Sequence, residues 1–72
     1  MEEFLRYSMA HGRRVKAILM LEGSMVQQNI VVIRYTDTEL TYTSARQKAP
    51  RTVPMGSLLS LGYARGDTGE QE

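Results

Sequence analysis

Apolar and polar positions change their period along this chain, and each change marks an element. From Glu2 to His11 the residues Phe4, Leu5, Ser8 and Met9 fall at the spacing of one helical face, acids occupy the first turn and Gly12 follows. That pattern predicts one short helix, which needs a surface to cover because a helix of this length is marginal alone in water. From Arg14 to Leu21 β-branched and aliphatic residues replace the helical spacing, and Glu22-Gly23-Ser24 reads as a turn, so this is a first strand. Met25 to Tyr35 is a second, centred on Ile30-Val31-Val32-Ile33, a continuous apolar run that suits a strand buried on both faces or curled within a barrel. After Thr36-Asp37-Thr38, Leu40, Tyr42 and Ser44 alternate with Glu39, Thr41 and Thr43 in a third, partly exposed strand. Pro50 and Pro54 limit Arg51 to Val53 to a brief fourth strand, at an edge or finishing at Pro54. Leu58, Leu59, Leu61 and Tyr63 predict a helical turn or bend followed by a fifth short strand.

This order places the chain as mainly β with one N-terminal helix: a small SH3-like or Sm-like antiparallel β-barrel, or a strongly bent sheet. Residues 1–66 read as a single domain, and residues 67–72, which contain no apolar side chain, as an acidic disordered tail. A 72-residue chain buries only about 60% of the surface its unfolded form exposes, so its core is marginal and self-association would help it.

The chain has no cysteine and one histidine, which removes disulfides, thiolate chemistry and an ordinary zinc ligand set. Glu2 and Glu3 argue against a signal peptide, and no segment approaches the roughly 20 apolar residues that span a bilayer. The expectation is a cytoplasmic protein with no membrane partner, no metal and no cofactor. Catalysis is poorly supported: Ser8 and His11 share the helix, but no third group is evident to orient a base. The five methionines fit best as fillers of irregular gaps in a core.

Net charge is +1, yet three of the eight carboxylates, Asp67, Glu70 and Glu72, fall in residues 67–72. Residues 1–66 therefore set nine cations against five carboxylates. That balance is mildly basic, well short of the dense stripe of a duplex-DNA binder, and compatible with an anion or a single strand.

Several residues resemble the small bacterial WYL-like domains. The Phe4 to Met9 helix leads through Gly12-Arg13-Arg14 into Val15-Lys16-Ala17-Ile18, as the family's first helix leads through a basic pair into its first strand. Arg51-Thr52-Val53 is similar to the family's Arg-Thr-Phe element, and Leu58-Leu59 to the Ile-Leu that follows it. Thr38-Glu39-Leu40 stands where the name-giving tripeptide would fall. The resemblance implies an SH3-like or Sm-like barrel and an accessory role in gene regulation, as a ligand sensor or nucleic-acid contact.

The basic residues are the better chemical candidates, because a guanidinium can hold a phosphate or carboxylate through two parallel hydrogen bonds. Arg13, Arg14 and Lys16 open the first strand, and Arg46, Lys48 and Arg51 fall within six residues with no carboxylate among them. If folding brings the clusters together, Arg51, Arg46, Lys48 and Arg14 form a ligand-binding surface, with Tyr42 or Tyr63 as a ring on which a base stacks. Two functions follow: a non-enzymatic binding or regulatory module presenting its basic loop to a nucleotide or single-stranded nucleic acid, or a structural module that self-assembles as a homo-oligomer through open edge strands.

Overall fold

The computed structural model describes residues 2–64, so the acidic tail expected at residues 67–72 lies outside the described residues. Helix α1 (Glu2–His11) is followed by β1 (Val15–Leu21), β2 (Ser24–Tyr35), β3 (Glu39–Ser44), β4 (Arg51–Pro54), a 3-10 turn at Met55–Ser57, and β5 (Leu58–Tyr63). The helix stops at Gly12, whose positive φ of 64° lets its N–H reach back to the Ser8 carbonyl at 2.8 Å. No helix among the described residues is long and apolar enough to cross a membrane.

The strands form one antiparallel sheet in the order β4-β3-β2-β1-β5. Its two edges, β4 and β5, are consecutive in the chain and joined only by the Met55–Ser57 turn. In a flat sheet those edges would stand about 19 Å apart, four inter-strand spacings. The span from Pro54 to Leu58 reaches at most about 14 Å. The sheet is therefore bent, with its edges drawn toward each other at that end. No ladder joins β4 to β5 among the described residues, so the sheet is open.

The concave face carries the core. Val15, Ala17 and Leu19 of β1, Ile30 and Val32 of β2, Leu40 and Tyr42 of β3, Val53 of β4 and Leu58 of β5 are buried in one cluster with Leu5 of α1. The helix seats Leu5 and Ser8 against the sheet, with Phe4 and Tyr7 half-buried beside them.

Two expectations are corrected here. The apolar run of β2 is not buried on both faces: Ile30 and Val32 are in the core, but Ile33 is 47% exposed at a bulge between Val32 and Arg34. Nor do the methionines mainly fill the core. Met55 packs against it, whereas Met9, Met20 and Met25 are exposed, the last two as a cross-strand pair near the β1–β2 turn.

Candidate functional site

β2 is longer than either neighbour, and its position organises the polar residues. Ile30 pairs with Val15 of β1 on one side and with Ser44 of β3 on the other. Arg14, just before β1, and Ala45-Arg46, just after β3, therefore leave the sheet on opposite sides of β2.

Both are held from behind. Continuing the β1–β2 register by two rungs beyond Val15 and Ile30 would set Arg13 against Val32, and here the Ser8 hydroxyl enters the ladder. It donates to the Arg13 carbonyl at 2.7 Å and accepts the Val32 N–H at 2.9 Å, fully buried. That bridge fixes the backbone from which Arg14 emerges. On the other side, Ser44 and Gln47 exchange backbone hydrogen bonds of 3.1 and 3.2 Å, and the Ser44 hydroxyl also accepts the Gln47 N–H. The resulting tight turn places Arg46 at its tip.

Arg14 and Arg46 line one open concavity of about 280 Å3, together with Gln27, Gln28 and Asn29 of β2 and Ser44 of β3. The two guanidinium groups supply positive charge and fixed donor forks; Gln27 and Asn29 share one face of β2 and supply paired donors and acceptors there, while Gln28 lies on the face that carries the core. Such a surface can hold an anion and read the hydrogen-bonding edge of a flat group beside it.

The remaining candidates fall elsewhere. Lys48 is exposed in the β3–β4 loop but does not line the concavity. Arg51 is half-buried on the edge strand β4, opposite Tyr42. Tyr42 is in the core, 2% exposed, so its ring offers no face to a base, and its hydroxyl is buried without a hydrogen-bond partner. Tyr63 is 38% exposed but holds its ring edge-on to Phe4 and Tyr7, at centroid distances of 4.8 and 5.5 Å. The basic clusters thus meet through Arg14 and Arg46 alone. The hydroxyl of Ser8 is committed to Arg13 and Val32, and His11 is exposed beside the Tyr7 ring.

Gln27, Gln28 and Asn29 are the residues that sequence reasoning passed over. Three consecutive carboxamides inside an otherwise apolar strand were the available signal, since Asn is depleted from strands. No family model, curated protein or solved structure matches the chain.

Proposed function

We propose that this chain is a non-enzymatic binding module whose ligand is a nucleotide or a short stretch of single-stranded nucleic acid. The observation that carries the reading is the convergence of Arg14 and Arg46 on one concavity floored by Gln27, Gln28 and Asn29. The arginines take the phosphate, and the carboxamides of Gln27 and Asn29, which share one face of β2, face the base, whose polar edge offers matching donors and acceptors. Lys48, on the same loop as Arg46, adds attraction at longer range. Arg51 and Tyr42 are assigned no ligand contact. A helix followed by five strands is also the order a WYL-like domain would have, which supports a regulatory setting and a barrel-like closure of the bent sheet.

Fluorescence anisotropy with a short fluorescein-labelled oligothymidylate tests this. The chain should bind at low salt and weaken steeply as salt rises, and Arg14→Ala with Arg46→Ala should cost about tenfold or more in affinity. Both side chains are exposed, so circular dichroism should show an unchanged fold. No binding at low salt, or unaltered affinity in the double variant, would sink the reading.

A second reading has its own support. β4 and β5 are both sheet edges, and strand edges are sites where another copy can add. Leu59, 45% exposed on β5, gives that edge an apolar contribution. Light scattering that returns a monomer mass throughout the micromolar range would exclude self-assembly there.

A further inference from the structure

β2 has a strand on both sides over only part of its length. Residues 24–30 pair with β1, but β3 reaches only to the Ile30–Ser44 rung, so among the described residues no strand lies along the other side of residues 24–29. Backbone groups in an antiparallel ladder alternate sides, and the Val32 N–H points to the β1 side, where Ser8 takes it. The unbroken register back to Ser24 then turns Val26 and Gln28 toward β1, and Met25, Gln27 and Asn29 toward the bare side. That edge has no charge, proline or bulge to blunt it, and Met25 near its end is 67% exposed.

We propose that the occupant of this edge is a second copy of the chain, added by antiparallel pairing of the two β2 edges across a two-fold axis. Two constraints select the register. Paired residues share a face, so partners differ by an even number of positions. Centring the axis on Gln27 would bring Ser24 of the second copy to the Ile30 rung, which Ser44 already fills. Centring it on Val26 avoids that collision. Met25 and Gln27 of one copy then pair with Gln27 and Met25 of the other, and these are residues whose N–H and C=O point outward. The two Met25 side chains fall on a diagonal, within reach of each other. The β1–β2 turn of each copy abuts the turn that leaves β3 in the other, which sets Glu22 beside Arg46 on both sides of the axis. Both residues are exposed, and neither has an ion-pair partner among the described residues. The dimer does not rest on the nucleotide reading; both draw on Arg46, so an anion held there opposes the pairing.

Sedimentation equilibrium of the full chain at low salt, from about 10 μM to about 1 mM, should show the mass rising from one chain toward two, the behaviour of a small interface. A single-chain mass throughout would overturn the dimer. Between the ends of that range, amide hydrogen exchange should slow at Met25 and Gln27 relative to Val26 and Gln28. A doubled mass without that change would put the contact at another edge and overturn this one. Glu22→Arg should weaken the dimer several-fold or more, and adding Arg46→Glu should restore it, with unchanged circular dichroism because both side chains are exposed. Slowed exchange at Met25 and Gln27 with affinity indifferent to both reversals would overturn the register.

Discussion

Two buried hydroxyls on the concave side make opposite predictions at the scale of single residues. Ser8 uses its oxygen twice, between Arg13 and Val32, and Ser8→Ala would leave the buried Val32 N–H and the part-buried Arg13 carbonyl without it. A loss of about 1–3 kcal/mol is expected, read as a lower midpoint in urea. The Tyr42 hydroxyl is buried without a partner, so Tyr42→Phe should leave the urea midpoint unchanged or raise it, by up to about 1 kcal/mol. A clear drop would mean that the hydroxyl is hydrogen-bonded after all. The sequence pattern put both residues near their places, Ser8 on the packing face of the helix and Tyr42 on the alternating face of β3. It assigned Tyr42 to the wrong side of the sheet: alternation tells which residues share a face, not which face meets the core. The register shows that Tyr42 stands beside buried Val32, and that settles its place.

At the scale of elements, the tight turn between β1 and β2 was legible from Glu22-Gly23 alone. Leu21 pairs with Ser24, and the two residues between them have φ of 53° and 82°, the left-handed pair that a two-residue hairpin of this twist requires. Gly23→Ala should cost about 1 kcal/mol although nothing crowds a Cβ there, because the penalty is conformational. Glu22→Asn, which tolerates that region better, should gain a few tenths of a kcal/mol to about 1. Thermal unfolding of the two variants should move in opposite directions. The short β4 ending at Pro54 and the turn before β5 were legible too, since proline restricts the backbone wherever it stands. The bulge at Ile33 was not: a continuous apolar run has no period from which an extra residue could be read.

On the whole-molecule scale, charge and topology explain why the site was only half visible. Arg14 and Arg46 are far apart in the chain and meet because Val15 and Ser44 are both partners of Ile30, a fact that belongs to strand order and register. Clustering along the sequence favoured Arg51, but β4 carries it to the outer edge of the sheet. The same topology has a consequence for synthesis. β5, the last strand among the described residues, pairs with β1, the first of them, while the other three ladders join strands that are neighbours in the chain. A chain ending at Ser57 should therefore aggregate where the full chain does not, a difference that turbidity would register. On the ribosome, the helix and first four strands can assemble while β1 waits with one side uncovered. That interval, set by how soon β5 clears the exit tunnel, is when the nascent protein is most exposed to pairing with the wrong neighbour.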